Sequence, residues 1–190
     1  MSVSKYLRGV EWDPWAGMPG IYATPNSRRR GSWRYICTYR DGKRHKKAIM
    51  AKLRQYGQPE RPGDWDLHHI VEGQHFADID FAGVIASAYH GELPCVLIHK
   101  QEHVAYNRLL HIRETDELFR DSLPSDLRQR SDQAAERARD PANHGKLREQ
   151  VMRLMVLYRN AYEGDAALQR IARNVFDDSL SVLRRIAPAR

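Results

Sequence analysis

Two short stretches of the chain carry histidines at spacings that suit metal chemistry. The first runs from Asp66 to His69 and contains the adjacent pair His68 and His69. In the second, His103 and Asn107 are four residues apart, which places them on one face of a helix. Successive side chains of a strand point to opposite faces, so the adjacent pair serves one site only where the strand ends or twists. Together the two stretches predict a site for one divalent cation.

The basic residues are concentrated in one segment. The chain of 190 residues has a net charge of +7. Eleven of its Lys and Arg residues lie between Arg28 and Arg54, against one acid, Asp41. A concentrated positive field attracts polyanions such as DNA or RNA, although a solvated basic face has the same composition. The predicted nucleic-acid contacts are Arg28, Arg29, Arg30, Arg34, Lys43, Arg44, Lys46 and Lys47, with Lys100 and Arg108 outside the segment.

The next segment has the opposite character. Between Pro62 and His99 there is no Lys or Arg, but there are six acids and five histidines. Carboxylates suit hard cations, and imidazole suits zinc and its neighbours. A polyanion-attracting segment beside a cation-attracting one is the combination that a metal-dependent phosphodiesterase needs.

Periodicity and turn signals predict the elements that position these residues. From Trp33 to Lys47, alternating aromatic and basic residues around Asp41-Gly42 predict a β-hairpin. Residues 46–56 predict a short basic helix. The His-His stretch and Cys95–Ile98 predict two strands, and residues from Lys100 to about 119 predict a helix.

The last third of the chain predicts two amphipathic helices that pack as a hairpin, marked by apolar residues from Leu147 to Tyr162 and from Leu168 to Ile186. The predicted fold is therefore α+β, with three parts: an N-terminal basic arm (1–63), a small core around the histidines (64–120) and a helical extension (121–190). No apolar run predicts a membrane span, and the N-terminus lacks the apolar core of a signal peptide. Cys37 and Cys95 are expected to be free buried thiols.

The order of strand, His-His, loop, strand and helix resembles the HNH (ββα-metal) endonuclease superfamily. The similarity is to the variant found in colicin-type DNases and bacterial polymorphic toxin domains. The residues Asp66 to His69 are similar to the acidic-Leu-His-His of those toxins. Glu102 to Asn107 is similar to their helix motif, in which a metal-binding His is followed four residues later by His or Asn. The resemblance covers about 45 residues, from Asp64 to roughly Arg108, and implies a small ββα-metal core.

The resemblance also implies roles for individual residues. His68, His103 and Asn107 would hold one divalent ion (Mg, Mn, Ni or Zn), and His69 would be the general base. His99 is an alternative ligand, because it too is four residues from His103. Three acids are expected to hydrogen-bond the imidazoles and fix their tautomers without binding the metal: Asp66, Glu72 and Glu102. The family usually has an Asn between the strands; here Asp78, Asp80 or a backbone carbonyl would orient the catalytic His.

Three functions from different classes follow from these observations. The first is a DNA-hydrolysing, metal-dependent endonuclease, the toxin domain of an interbacterial effector, which is secreted or injected and acts in the target bacterial cytoplasm. Such a toxin would be held inactive by an acidic immunity protein. The second is a non-catalytic nucleic-acid-binding module with a structural zinc site. The third is a protein-interaction domain whose basic face meets an acidic partner.

Overall fold

The computed structural model describes residues 3–15, 17–28, 32–55, 62–83, 90–110 and 126–186. Within these ranges the chain is a mixed α+β protein, as the sequence predicts, with one antiparallel sheet. The sheet has the strand order β1-β2-β3-β5-β4, so that β4, the strand with the adjacent histidines, lies at an edge. The strands are β1 (Asp13–Pro14), β2 (Tyr22–Pro25), β3 (Trp33–Thr38), β4 (Trp65–His69) and β5 (Pro94–His99).

The described ranges contain six helices. They are α1 (Tyr39–Gln55), α2 (Gly73–Asp78), α3 (Lys100–Leu110), α4 (Leu127–Arg139), α5 (His144–Ala161) and α6 (Ala166–Ile186). Short 3-10 turns lie at Val3–Leu7, Pro62–Asp64, His90–Glu92 and Pro141–Asn143. In the part of the chain that the structure describes, no helix has both the length and the apolar character needed to cross a membrane.

The two faces of the sheet bury separate apolar clusters. The smaller cluster lies on the α1 side, where Ile49 and Met50 of the helix pack with Cys37 and Leu97 of the strands. The larger cluster joins the opposite face to helices α2 to α6 and to the N-terminal 3-10 turn. This division follows from strand alternation, because neighbouring residues such as Val96 and Leu97 point to opposite sides. The functional residues on each strand are therefore sorted between two environments.

Most predicted elements are confirmed, among them strands β4 and β5, the helix after β5 and the C-terminal helical hairpin. α5 and α6 pack on each other and bury the predicted apolar stripes. Cys37 and Cys95 are free and buried, as expected, and they face each other across β3 and β5. The predicted continuation of α3 beyond Leu110 falls outside the described residues.

The predicted β-hairpin from Trp33 to Lys47 is wrong. The chain leaves β3 at Thr38 and enters α1 at once, and β3 pairs instead with β2. Asp41-Gly42 therefore lies in the first turn of a helix. The Thr38 hydroxyl accepts a hydrogen bond from the Asp41 backbone N–H at 3.0 Å and donates to its carboxylate at 2.8 Å. This side-chain cap satisfies the helix start.

Gly42 is needed for close packing of α1 on the sheet. A Cβ atom at Gly42 would lie 2.6 Å from Leu67 Cδ2 and 2.8 Å from Cys37 Sγ. We expect Gly42→Ala to lower the free energy of unfolding by about 1–3 kcal/mol, because the helix must shift from a filled core. Urea denaturation measures this change.

The matched control is Gly145→Ala in α5, where an added Cβ meets nothing within 4 Å. That substitution should raise the free energy of unfolding by up to about 1 kcal/mol, because alanine loses less backbone freedom than glycine on folding. A Gly42→Ala protein that is stabilised to the same extent would contradict the close approach.

Candidate functional site

Strand β4 divides the predicted site residues between the two faces of the sheet. β4 pairs antiparallel with β5, with His68 opposite Val96 and His69 opposite Cys95. Val96 belongs to the larger apolar cluster and Cys95 faces Cys37 of the smaller one. His68 therefore points toward α3 and α5, and His69 points toward α1.

His68 is the most enclosed of the predicted ligands, with 1% of its surface exposed. Its ring centroid lies 5.1 Å from that of His103, and it stacks on Tyr106 at 5.5 Å. Nε2 is 2.9 Å from the Tyr162 hydroxyl. Nδ1 is buried, has no hydrogen-bond partner in the described residues, and lies 3.7 Å from Glu72 Oε1. When two ligand atoms bind the same cation, each at about 2.0–2.2 Å, the distance between the two atoms is similar to this one.

Burial keeps the His68 imidazole neutral. The pKa of His68 is lowered from 6.5 to about 3, mainly by desolvation and also by electrostatic interaction with His103, His69 and Arg34. A neutral imidazole is the form that binds metals. His68 therefore needs no proton to be removed before it can act as a ligand at neutral pH.

The same shift predicts how stability of the metal-free protein depends on pH. The His68 pKa is lower in the folded chain than the value of about 6.5 expected when unfolded, so the unfolded state binds the extra proton first. The stabilisation is complete above about pH 6.5 and should fall by up to about 1.4 kcal/mol per pH unit below it. Urea denaturation in EDTA between pH 7 and pH 5 measures this slope. A His68→Gln variant should lose that component, and equal slopes in the two proteins would contradict the shift.

His103, on α3, is held by a carboxylate from β4. Its Nδ1 lies 3.3 Å from Asp66 Oδ2, and both side chains are partly exposed. Lys46 of α1 approaches the other oxygen of Asp66 at 3.9 Å. When Nδ1 donates its proton to Asp66, Nε2 keeps a lone pair, which is the usual arrangement around a metal-ligating histidine. Asp66, predicted as an outer partner of a ligating imidazole, has its imidazole contact with His103.

Asn107 follows His103 by one turn of α3, and its Oδ1 atom is buried with no hydrogen-bond partner among the described residues. A buried amide oxygen without a donor is costly, and a cation would satisfy it. The described chain contains no cluster of three or more His, Cys, Asp or Glu side chains arranged for a metal. A cation here would thus rely on His68, His103, the Asn107 amide and water, with Glu72 beside them. This donor set fits a divalent ion with open positions.

His69 and His99 are not brought into this cluster. The His69 ring stacks on Tyr39 of α1, with centroids 4.8 Å apart and planes at 23°. His99 is paired with Trp65 across the sheet and contacts its ring edge-on at 6.2 Å. Its Nδ1 accepts a hydrogen bond from the Gln101 backbone N–H at 3.3 Å. His99 therefore lies on the α1 side, away from His68, whereas His103 contacts β4 through Asp66.

A buried ion cluster corrects the prediction for Arg34. Arg34 is 3% exposed, and its guanidinium donates to Glu102 through two nitrogens and to Asp165 at 2.8 and 3.0 Å. It is therefore not available to a nucleic-acid phosphate. Burial raises the pKa of Glu102, but the hydrogen bonds and charge of Arg34, together with the Tyr106 hydroxyl and the charge of Arg28, hold that pKa below the usual value. Glu102 accepts from Arg34 and from the Tyr106 hydroxyl at 3.1 Å, which places it in this cluster.

The acids proposed to orient a catalytic histidine connect α2 to α4. Asp78 accepts hydrogen bonds from Arg130 at 2.8 and 3.2 Å, and Asp80 accepts from the Ser131 hydroxyl at 2.7 Å. Both acids are buried. Their contacts with α4 explain why two carboxylates are tolerated in the core.

The remaining predicted nucleic-acid contacts lie mainly on α1. Lys43, Arg44 and Lys47 are exposed on this helix. Lys46 instead donates to the Trp65 carbonyl. Lys100 and Arg108 are predicted contacts that lie on α3, where both are exposed. Arg28 donates to the Glu163 carbonyl, and its guanidinium lies 5.2 Å from the centroid of the Tyr106 ring. Arg29 and Arg30 lie outside the described residues.

Sequence reasoning missed two tyrosines of α5 and its C-terminal end, Tyr158 and Tyr162. Their spacing of four residues indicates one face of a helix, and the apolar stripe around them suggests only packing. In the structure both hydroxyls reach the segment after β4, where they meet His75, Glu72 and His68. Two hydroxyls on an otherwise apolar stripe were the only signal in the sequence.

Comparisons with known proteins were made against family models, curated proteins and solved structures, and none of the three gave a match.

Proposed function

We propose that the chain is a metal-dependent endonuclease that hydrolyses DNA phosphodiester bonds. The observation that carries the proposal is the buried, neutral His68, whose Nδ1 lacks a hydrogen-bond partner in the described chain and whose ring meets that of His103. Asp66 holds His103, and Asn107 adds an oxygen without a donor among the described residues. These atoms belong to the residues that the resemblance to the HNH superfamily assigns to the metal.

His68, His103 and Asn107 would hold one divalent ion, with Mg, Mn, Ni or Zn as candidates. When bound, the ion would neutralise charge on the phosphate and polarise the scissile bond. Two imidazoles favour Zn or Ni over Mg, since nitrogen ligands suit the softer ions.

His69 is the proposed general base. It is the last residue of β4 and its ring lies on the α1 side, stacked on Tyr39 of that helix. An imidazole at this position can take a proton from water, a contribution of roughly 10²–10⁴-fold. The water would have to lie at the end of β4, where the chain turns into α2, because the sheet separates the rings of His68 and His69.

The test is incubation of supercoiled plasmid and of RNA with the purified chain, in each candidate metal and in EDTA. We expect the wild-type protein to nick and linearise the plasmid only when metal is present. His69→Ala should abolish cleavage and leave metal binding intact, whereas His103→Ala should abolish both. Cleavage that persists in EDTA, or in both variants, would remove the proposal.

The basic residues of α1 are proposed to bind the phosphate backbone. Replacing Lys43, Arg44 and Lys47 with glutamine should weaken DNA binding and lower the slope of log affinity against log salt by up to about 0.9 for each phosphate that is no longer neutralised. Fluorescence anisotropy with a labelled duplex at several salt concentrations measures the slope. The matched control is Arg148→Gln, on α5. An unchanged slope in the triple variant would show that DNA binds elsewhere.

Toxin action in the target bacterial cytoplasm, after secretion or injection, is part of the same proposal, as is inhibition by an acidic immunity protein. The basic face of α1 is the surface that an acidic inhibitor would cover, because opposite charges favour association. Expression of wild-type protein should arrest bacterial growth, whereas His69→Ala should be tolerated. Equal growth with both proteins would argue against a toxin.

A second candidate is a non-catalytic nucleic-acid-binding module with a structural zinc. The observation that favours it is the separation of His69 from the ligand cluster by the sheet. This candidate predicts zinc binding without cleavage of DNA or RNA, and loss of folding on chelation. The cleavage experiment in metal and in EDTA distinguishes the two.

A further inference from the structure

The hydroxyl of Tyr162, at the C-terminal end of α5, connects the C-terminal helical hairpin to His68. Tyr162 is fully buried. Its hydroxyl donates to the Ile70 carbonyl at 2.8 Å and lies 2.9 Å from His68 Nε2. The helix therefore reaches across the core to the imidazole that is proposed to bind the metal.

The hydroxyl of Tyr158 contacts the segment after β4 at a second point. Tyr158 lies one helical turn before Tyr162, and its hydroxyl accepts a hydrogen bond from the Glu72 backbone N–H at 2.8 Å. The same hydroxyl is 2.9 Å from His75 Nδ1. Two tyrosines on one helix face thus hold both sides of the turn from Ile70 to His75.

The hydrogen bonds of the Tyr162 hydroxyl determine the tautomer of His68. A phenol has one proton, and the Ile70 carbonyl is only an acceptor, so the hydroxyl proton is donated to Ile70. The contact with His68 is then an Nε2–H donated to the phenol oxygen. Since a neutral imidazole has a single N–H, Nδ1 keeps its lone pair. In the other tautomer Nδ1–H would face Glu72 at 3.7 Å, beyond hydrogen-bond distance, and Nε2 would compete with Ile70 for the hydroxyl proton.

We propose that Tyr162 is a positioning residue, which fixes His68 in the Nε2–H tautomer and so presents the Nδ1 lone pair to the cation. The inference rests on the proposed function, because it states which His68 nitrogen meets the metal. Outer partners of this kind set the ring orientation and tautomer of a ligating histidine, and their loss weakens metal binding about 10–100-fold. The C-terminal helices are thus part of the site.

The first test uses the metal-free, full-length wild-type protein and needs no substitution. Long-range ¹H–¹⁵N correlation spectra of protein labelled at histidine nitrogens distinguish the two neutral tautomers. We expect His68 to show the Nε2–H pattern at pH 7. An Nδ1–H pattern would overturn the inference.

The second test compares Tyr162→Phe with Tyr158→Phe. Each variant keeps the buried ring and loses one hydroxyl on the same helix face, so the two should lose similar stability, and thermal unfolding checks this. Titration with Zn²⁺ alone should show binding weakened about 10–100-fold in Tyr162→Phe. Tyr158→Phe, whose missing hydroxyl does not contact His68, should lose much less zinc affinity and keep the Nε2–H pattern at His68. Equal zinc affinities in the two variants would overturn the inference.

Failure of this inference and failure of the proposed function give different results. If the wild-type chain cleaves plasmid with metal but shows Nδ1–H at His68, the nuclease stands and the role of Tyr162 falls. If zinc binds with the expected dependence on Tyr162 but DNA and RNA remain intact, the role of Tyr162 stands and the nuclease falls. If the wild-type chain binds no zinc, the metal site falls and the inference falls with it.

Discussion

Replacing Arg34 with methionine is expected to lower the free energy of unfolding by about 3–5 kcal/mol, because it leaves buried carboxylates without their counter-ion. Asp165 is fully buried, and it accepts two hydrogen bonds from Arg34. Glu102 is partly buried and receives two more. The cluster connects β3, α3 and the start of α6, so its loss should loosen three elements together. Urea denaturation at pH 7 measures the change.

The matched control is Arg8→Met at an exposed ion pair. Arg8 donates to Asp178 at 2.6 Å, a contact as short as those of Arg34, but its side chain is 61% exposed. Solvent screening limits such a pair to about 1 kcal/mol or less. If both substitutions cost the same, the buried cluster has no special weight. A triple variant, Arg34→Met with Glu102→Gln and Asp165→Asn, should recover part of the loss, since it removes the stranded charges.

Replacing His103 with alanine is expected to remove metal binding and DNA cleavage together. In the proposed site His103 supplies one of two imidazoles, so the loss in affinity should exceed the roughly 10–100-fold that follows from losing an outer partner. Zinc titration by calorimetry measures the affinity, and plasmid nicking measures the activity. Asp66→Asn, which keeps the shape but loses the carboxylate charge beside His103, should fall within that smaller range.

His99→Ala is the control for this prediction. His99 is four residues from His103 but lies on the α1 side of the sheet, in contact with Trp65. We expect zinc affinity and cleavage to remain close to wild type. If His99→Ala removes metal binding and His103→Ala does not, the ligand set is His99 with another group, and the placement of the cation is wrong.

The strands and helices around His68 could be predicted because their signals are local. A short apolar run indicates β5, the strand before it carries the adjacent histidines, and the four-residue spacing of His103 and Asn107 indicates α3. The proximity of His68 and His103 follows once a strand and the helix after its neighbour are packed together. Local sequence patterns therefore predict the elements that carry His68 and His103.

The environment of these residues depends on contacts that are distant in sequence. The Asp41-Gly42 pair has the signal of a hairpin turn, but the Thr38 cap and the close approach of Gly42 to Leu67 favour a helix. A basic residue in a basic segment indicates solvent, yet Arg34 is buried by acids that lie 68 and 131 positions away. The contact between Tyr162 and His68 also joins residues far apart in the sequence, at a separation of 94 positions.

The measurement that tests the central proposal most directly is a metal titration of the chelated full-length protein, with binding and plasmid cleavage followed in the same samples. We predict one bound ion per chain, and cleavage that rises in proportion to the fraction of protein loaded, with neither seen in His103→Ala. Full metal binding without cleavage of DNA would contradict the nuclease and favour a structural zinc. Cleavage at full rate before any metal is added would contradict the metal site itself.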